Sequence, residues 1–385
     1  MKVAVIGAGI IGVSIASELA ARGADVVLID RNAPGTGTSS TSYAWVNSNN
    51  KNPDPYFELN RAGLDAHYRL AANGSDWFHP QGHLEIAADP GHQAELKARL
   101  DRLSGLGYEA EEISVMRAAE LIPDLVTPDG AATAAFYSRE GHCDPSLYIR
   151  HVMAQGIANG VTLRSGSAVT GIDDLDGKCR LTLADGTTLV TDHVVSAAGR
   201  WTNDVMAMVG LPSLMVESEQ PGDVTMGYLA ITNPLPVSID RVLTSPRLNV
   251  RPAGGGRLLL QALDLDSTAQ VGGSAALDSP LAEEFISRLQ EVLKNTDGAS
   301  IREIQVAQRA IPMDGLSVIG PVNECPALYL VATHSGVTLA PFLGRQVAAE
   351  IFGEKEALFA SFRPDRLLEG APAGALSAPR RPGEQ

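Results

Sequence analysis

The most constraining feature of this 385-residue chain is a glycine-rich turn near its N-terminus, between an apolar run and a helical pattern. Residues 3–6 are an apolar run typical of a buried parallel strand, and the sequence GAGIIG follows directly at 7–12. Residues 13–22 then predict a helix, and 26–29 predict a second buried strand that ends at Asp30. This order of strand, turn, helix, strand and acid predicts a βαβ unit that binds a dinucleotide.

Each glycine of the turn has a separate predicted role. Gly7 permits the tight turn, Gly9 lets backbone N–H groups approach a pyrophosphate, and Gly12 allows the helix to pack closely on the strand. The N-terminus of the helix, beside Ile10 and Ile11, carries partial positive charge toward the phosphates.

Asp30, the acid at the end of the βαβ unit, limits which dinucleotides can bind. Asp30 lies 18 residues beyond Gly12, where its carboxylate can accept hydrogen bonds from both ribose hydroxyls of an adenosine. The same negative charge disfavours a 2′-phosphate and therefore NADP. FAD and NAD both remain possible at this point.

Composition restricts the class of protein further. The 30 Lys and Arg residues against 45 Asp and Glu residues give a net charge of −15, which argues against nucleic acid or an anionic membrane as partner. A hydrophobic fraction of 44% with 19% charged residues excludes a disordered chain. At roughly 150 residues per domain, the length predicts two to three domains.

The cysteines indicate no metal site and no disulfide framework. Cys143, Cys179 and Cys325 are odd in number, far apart and without CxxC spacing. Reduced thiols of this kind predict a cytoplasmic protein. The absence of an uncharged apolar run of about 18 residues predicts no transmembrane segment.

A long polar segment, residues 31–52, follows the βαβ unit without helical or strand periodicity. A loop of this length is usually functional or disordered, and Tyr43 and Trp45 argue for order. The glycines at 254–256 are interpreted as a hairpin turn between strands. The tail from 369 to 385, dominated by Ala, Pro, Gly and Arg, is predicted to be disordered.

Four blocks of the sequence resemble the FAD-dependent D-amino acid oxidase superfamily, which includes glycine oxidase, monomeric sarcosine oxidase and D-amino acid dehydrogenase. The first block is the N-terminal turn with Asp30. The second, TSYA at 41–44, resembles the loop that runs along the isoalloxazine ring, and the third, GHCDP at 141–145, resembles the segment that opens the middle helix of the FAD domain.

The fourth block is the most specific part of the resemblance. It begins at Arg309, continues through Asp-Gly at 314–315 and Ile-Gly-Pro at 319–321, and ends with THSGVTLAP at 333–341. Its last part predicts a strand, a short loop of small residues and a helix, which repeats the anion-binding geometry of the N-terminal turn.

The helix of this block has a predicted cap and a predicted target. Thr338 is predicted to cap the helix, with Pro341 tolerated in its first turn. Backbone N–H groups from 336 to 339 then point toward one bound group. The resemblance implies that this group is the N1–C2=O edge of the flavin.

The resemblance implies an α/β fold with two interleaved domains. Residues 1–80, 141–215 and 312–368 would form a Rossmann-type FAD-binding domain. Residues 81–140 and 216–311 would form a mixed α+β substrate domain built on a large antiparallel sheet. The FAD is expected to be noncovalent, because residues near Arg309 lack the cysteine by which similar sarcosine oxidases attach their flavin.

A set of cofactor contacts also comes from the resemblance. Added to Gly7, Gly9, Ile10, Ile11, Gly12 and Asp30, the implied FAD-binding residues are Arg31, Ser40, Thr41, Ser42, Tyr43, Ala44, Val169, Ala198, Gly199, Trp201, His334, Ser335, Gly336, Val337 and Thr338.

Arg309 is the main candidate for holding the substrate. The family places an arginine here that binds the substrate carboxylate in a bidentate pair. This chain has RAIPMDG where Arg-Pro-x-Thr-Pro-Asp-Gly is commoner, so an arginine in an ordinary ion pair remains the alternative. Arg251, before Pro252, is the reserve candidate.

Other candidates follow from position alone. Trp45 and Asn47 follow the flavin loop and face either the substrate or the protein interior. His334 either tunes the flavin or fills a polar turn, and His83 either reaches the pocket or lies on a strand surface. Gln261 stands in the strand that should carry the oxygen-activating lysine of sarcosine oxidases.

The resulting hypothesis is an FAD-dependent oxidoreductase acting on a small amine or amino acid, of the D-amino acid or N-substituted glycine type. Hydride transfer to flavin N5 would convert the C–N bond to an imine, with O2 or a quinone or other electron carrier as acceptor. An inactive FAD-binding subunit of a hetero-oligomeric amine dehydrogenase and an NAD-dependent dehydrogenase are the alternatives. A homo- or hetero-oligomer is compatible with each.

Overall fold

The computed structural model describes residues 1–128, 132–217, 220–273 and 275–369. Its strands are β1 (Lys2–Ile6), β2 (Asp25–Ile29), β3 (Trp45–Val46), β4 (Phe78–His79), β5 (His83–Ala87), β6 (Ala110–Ile113), β7 (Thr133–Tyr137), β8 (Gly141–Cys143), β9 (Thr162–Arg164), β10 (Val169–Asp174), β11 (Cys179–Leu183), β12 (Thr188–Thr191), β13 (His193–Ser196), β14 (Met226–Thr232), β15 (Val242–Thr244), β16 (Asn249–Pro252), β17 (Leu258–Gln261), β18 (Ile301–Gln308), β19 (Val318–Val322) and β20 (Cys325–Ala332).

The α-helices are α1 (Ile10–Ala21), α2 (Asp54–Leu70), α3 (Pro90–Gly105), α4 (Val115–Leu121), α5 (Pro145–Ala158), α6 (Thr202–Met208), α7 (Pro280–Val292), α8 (Gly336–Ile351) and α9 (Asp365–Leu368). Short 3-10 turns occur at Thr38–Ser40, Gly199–Trp201, Leu263–Thr268 and Ala357–Phe362. The predicted disordered tail lies outside the described residues from 370 onward.

A six-stranded sheet positions the N-terminal turn. Its strand order is β19-β20-β13-β1-β2-β9, with every pair parallel except β19 and β20. Helix α1 packs between α5 and α8. Both faces of a parallel sheet need cover, which explains the uninterrupted apolar runs of β1 and β2. The strands come from both ends and the middle of the chain.

An eight-stranded sheet forms the second layer of the molecule. Its order is β18-β14-β17-β16-β15-β5-β7-β6, and only the pairing of β15 with β5 is parallel. All eight strands lie within 81–140 and 216–311, the segments predicted for the substrate domain. The predicted turn at 254–256 is confirmed, because it joins the antiparallel strands β16 and β17.

Two smaller sheets complete the fold, and one of them fixes the polar loop after β2. Strand β3 of that loop pairs with β8, and β8 pairs with β4. The loop is therefore ordered, as its aromatic residues predicted. Asp144 caps the start of α5, since its side chain accepts hydrogen bonds from the N–H groups of Ser146 and Leu147.

Two helices begin earlier than the sequence pattern predicts. Helix α1 begins at Ile10, and α8 begins at Gly336, so glycines lie within their first turns. The prediction that Thr338 caps α8 is wrong, because Ser335 occupies the cap position. The Thr338 hydroxyl instead donates to the carbonyl of Trp45 (3.2 Å) and accepts from the Asn47 N–H (3.3 Å), which ties the polar loop to α8.

Candidate active site

One large cavity of about 770 Å³ is lined by residues from both large sheets. Its volume lies within the range of ligand-binding pockets. Gly7 and Gly9 of the N-terminal turn lie on its wall, as do Leu229 and Gln261 of the eight-stranded sheet. The cavity therefore spans the two parts of the molecule that the sequence assigns to cofactor and substrate.

The glycine turn has no room for side chains. Gly7 has a φ of 101°, and a Cβ atom there would lie 2.4 Å from the Ala197 carbonyl oxygen. A Cβ atom on Gly12 would lie 1.8 Å from the carbonyl oxygen of Gly7. Gly12 is absent from the cavity wall, so its role is the predicted close packing of helix on strand.

Asp30 is held rigidly at the cavity wall. The Ala8 N–H donates to its Oδ2 (2.7 Å), and the Asn32 N–H donates to its Oδ1 (2.8 Å). A carboxylate offers about four acceptor positions, so each oxygen retains one for a ligand. This geometry suits the predicted contact with ribose hydroxyls.

We expect Asp30→Ala to weaken FAD binding about tenfold to a hundredfold, because a hydrogen bond to a charged group contributes about 1.5–3 kcal/mol. Titration of the stripped protein with FAD, followed by flavin fluorescence, measures the change. Asp25→Ala is the matched control, since Asp25 is an exposed acid on β2, the strand that ends just before Asp30, with a surface lysine 4.0 Å away. Equal affinities in wild type and Asp30→Ala would refute the contact.

Ser39, which the sequence analysis missed, lies on the cavity wall, whereas the predicted contact Ser40 does not. The Ser39 hydroxyl accepts a hydrogen bond from the N–H of Ile10 (3.0 Å) and lines the cavity. Ser40 is exposed, donates to the carbonyl of Gly37 and is absent from the cavity wall. The run SSTS offers no periodicity that could have distinguished the two serines.

Trp201 lies on the cavity wall between two cations. The guanidinium carbon of Arg31 is 4.3 Å from the Trp201 ring centroid, and that of Arg200 is 3.9 Å away. Burial lowers the pKa of Arg200, and the nearby Arg31 lowers it further. Two positive charges beside Trp201 favour an anionic ligand at this part of the wall, although Asp204 lies 3.6 Å from Arg31.

The loop at 41–45 presents buried polar atoms that lack partners in the described protein. These atoms are the Thr41 hydroxyl, the Tyr43 hydroxyl and the Trp45 Nε1, and all three residues line the cavity. Burial raises the pKa of Tyr43, so its hydroxyl keeps its proton. A buried polar group without a partner costs about 1–3 kcal/mol, which a bound ligand with complementary groups offsets.

A second helix N-terminus faces the same cavity. His334, Ser335, Gly336, Val337 and Thr338, which the resemblance implies as FAD contacts, all line it. The Ser335 hydroxyl lies 2.8 Å from the hydroxyl of Tyr56 on α2, which fixes the loop before α8. The positive ends of α1 and α8 thus converge on one space.

These features fit FAD. The turn around Gly7 and Asp30 suits an adenosine diphosphate, and the predicted contacts Val169, Ala198 and Gly199 lie on the same wall. The unpartnered atoms of the 41–45 loop and the start of α8 suit a flat polar ring. None of the three cysteines lines the cavity, in agreement with noncovalent binding.

Arg309 lies on the cavity wall, but its guanidinium is already bound within the protein. Its Nη2 donates to Asp266 Oδ2 (2.9 Å), and its Nη1 donates to the carbonyls of Val224 (3.0 Å) and Met226 (2.8 Å). Burial raises the pKa of Asp266 to about 6, against the opposing effect of Arg309. A Cβ atom on Gly227 would lie 2.4 Å from both partners, so glycine makes room for the ion pair.

Arg251, the reserve candidate, does not line the cavity. It is 8% exposed, and its guanidinium donates to the carbonyls of Tyr43 and Pro252. Its hydrogen bond to Tyr43 supports the loop at 41–45. The carboxylate role predicted for Arg309 therefore competes with Asp266, and Arg251 offers no replacement in this structure.

Two further candidates lie away from the cavity. Asn47 is 1% exposed and absent from the cavity wall, so the expectation that it faces the substrate does not match the structure. His83 is fully buried, with Nε2 3.0 Å from the Thr244 hydroxyl and Nδ1 3.3 Å from Glu140 Oε2. It reaches neither the cavity nor a strand surface. Its ring packs edge-on against Trp45, which does line the cavity.

Lys51 is a cavity residue that the sequence analysis missed. It is 2% exposed, and burial lowers its pKa to about 7 against the opposing effect of Glu140. Its position in a polar loop gave no sign of burial.

Within the described ranges, no group of His, Cys, Asp and Glu side chains forms a metal site, and no helix is long and apolar enough to cross a membrane.

Comparison with known proteins agrees with this site. Residues 2–350 match the model of the family described as FAD dependent oxidoreductase. The chain therefore belongs to this family and is an FAD-dependent enzyme, which removes the NAD alternative.

The individual relatives have low sequence identity to this chain, but their alignments cover most of it. It is 26% identical to a glycine oxidase from Bacillus licheniformis, over 91% of the chain and 92% of the relative. It is 26% identical to the 4-methylaminobutanoate oxidase (formaldehyde-forming) of Paenarthrobacter nicotinovorans over 90% of the chain, which spans 43% of that relative. The crystal structure of glycine oxidase from Geobacillus kaustophilus superposes with a TM-score of 0.81 at 22% identity, covering 94% of this chain and 98% of that one, and so shows the same fold.

Proposed function

We propose that this enzyme oxidises the C–N bond of a small amine or amino acid to an imine, which water then hydrolyses. FAD supplies the hydride acceptor when it is bound. The observation that carries the proposal is a large cavity that joins the wall formed by Gly7 and Gly336 to a face of the eight-stranded sheet.

Part of the substrate end of this cavity is apolar. Leu229, Leu263 and Ala307 line it, as does Trp45, and Tyr43 and Trp45 pack against Leu229 and Ala307 in one apolar cluster. These side chains exclude water and fix the orientation of a small molecule. Such a site suits hydride removal from a neutral amine, because orientation supplies most of the effect and little proton transfer is needed.

The names of the relatives support the substrate class. Glycine is a primary amine and 4-methylaminobutanoate a secondary amine, and each bears a carboxylate. We therefore propose a D-amino acid or an N-substituted glycine as substrate. The electron acceptor, O2 or a quinone, is part of the same proposal.

Anaerobic reduction of the purified holoenzyme tests the function. We expect a yellow protein whose visible absorbance is bleached by at least one member of a panel of D-amino acids and N-methyl amino acids. Bleaching by no amine would contradict the proposal and favour a subunit that is inactive alone. A protein that cannot be loaded with FAD would contradict the assignment of the cofactor site.

A further inference from the structure

Two of the three cysteines meet in the fold although they lie 146 residues apart in the chain. Cys179 is the first residue of β11, in the three-stranded sheet β10-β11-β12, and Cys325 is the first residue of β20, in the six-stranded sheet. Their Sγ atoms are 3.9 Å apart, so an approach of less than about 2 Å would bring them to the length of a disulfide bond. The pair therefore joins two sheets and two distant segments.

This cysteine pair lies close to the surface although both thiols are buried. Each cysteine directly follows a hairpin turn, since Cys179 opposes Asp174 and Cys325 opposes Val322 across their turns. The residues next to the two cysteines in the chain are all exposed, namely Lys178, Arg180, Glu324 and Pro326. Opening of one hairpin turn, a local motion of low free energy, is therefore enough to admit a small oxidant.

The surroundings distinguish the two thiols. Burial raises the pKa of Cys179 to about 12, and the neighbouring Cys325 contributes to the rise. Burial also raises the pKa of Cys325, but a hydrogen bond from the Leu328 N–H to its sulfur opposes that rise. Cys325 is therefore the thiol that ionises more readily, and the thiolate is the form that reacts with oxidants.

We propose that Cys179 and Cys325 are a site of oxidative modification, which closes to a disulfide bond when a peroxide reaches it. The Cys325 thiolate attacks one oxygen of the peroxide, the O–O bond breaks, and Cys325 becomes a sulfenic acid. The Cys179 sulfur then attacks the Cys325 sulfur, and the sulfenic oxygen leaves as water. With hydrogen peroxide, two thiols and one peroxide give one disulfide and two water molecules. This site is independent of the proposed function.

The disulfide would cross-link two segments that carry the cavity wall. Strand β20 ends at Ala332, next to Thr333 on the wall, and β10, which pairs with β11, begins at Val169 on the same wall. A cross-link between residues so far apart in sequence restricts the unfolded chain strongly. The oxidised protein should therefore resist unfolding better than the reduced protein.

Peroxide treatment of the holoenzyme tests the pair, with Cys143 as the internal control. Cys143 is also fully buried, but it lies in β8 of a different sheet. After millimolar hydrogen peroxide and unfolding in iodoacetamide, mass spectrometry of the digested protein should show a peptide pair that links Cys179 to Cys325, with Cys143 alkylated. Three alkylated cysteines, a bond that includes Cys143 or a bond between two chains would each overturn the proposal.

Single variants and an unfolding measurement test the order of the steps and the effect of the bond. Cys179→Ala should leave Cys325 as a sulfenic acid that dimedone labels, whereas Cys325→Ala should leave Cys179 unlabelled. Cys143→Ser is the matched control and should cross-link like the wild type. Oxidised wild type should unfold at a higher guanidinium chloride concentration than the same protein after dithiothreitol. Labelling of Cys179 in place of Cys325 would overturn the order, and equal midpoints would overturn the stabilising role.

Discussion

Replacing Gly12 with valine should yield a protein that retains no FAD. Any Cβ atom at this position would lie 1.8 Å from the carbonyl oxygen of Gly7, so α1 must move away from β1. That movement displaces both the turn and the N-terminal N–H groups of α1, which are the groups predicted to face the phosphates. Visible absorbance of the purified variant, relative to its protein absorbance, measures the loss.

Gly105→Val provides the control for this experiment. Gly105 also lies in a helix, at the end of α3, but a Cβ atom there would meet nothing within 4 Å. This variant should remain yellow. A yellow Gly12→Val protein with wild-type affinity for FAD would show that the close contact between α1 and β1 is not required.

Removing the carboxylate of Asp266 should cost about 3–5 kcal/mol of unfolding free energy, the usual effect of leaving a buried charge without its partner. The Asp266→Ala variant leaves Arg309 without its ion pair and the Tyr228 N–H without its acceptor. Denaturant titration of the holoenzyme, followed by circular dichroism, measures the change as a shift of the unfolding midpoint.

A double variant separates the ion pair from other effects of the substitution. Asp266→Ala combined with Arg309→Met removes both charges, and we expect it to recover part of the lost stability. If Asp266→Ala alone lowers the unfolding free energy by less than about 1 kcal/mol, which is the range for exposed ion pairs, the structural role of Arg309 is contradicted.

The cofactor half of the site was largely predictable from sequence, because short-range physics determines it. The short turn between β1 and α1 requires both Gly7 and Gly9, and the strands beside it are uninterrupted apolar runs. The helix starts were predicted too late, since glycine has a low intrinsic helix propensity. At Gly12 and Gly336 tertiary packing overrides this propensity.

The substrate half was less predictable, because its contacts join distant segments. The partner of Arg309 is Asp266, which lies in a 3-10 turn 43 residues earlier. No local pattern links the two. One polar contact between strands could have been found, the hydrogen bond between the side chains of Asn249 and Gln261, since each residue lies six positions from Gly255 at the tip of the hairpin.

The interleaving of the chain has a consequence for its synthesis. Strand β13 ends at Ser196, but its outer neighbour β20 begins only at Cys325, so one edge of the six-stranded sheet stays uncovered while the intervening residues are translated. At about 10 residues per second this interval lasts on the order of ten seconds. An open strand edge can pair with other chains, so the nascent enzyme is exposed to such pairing during that time.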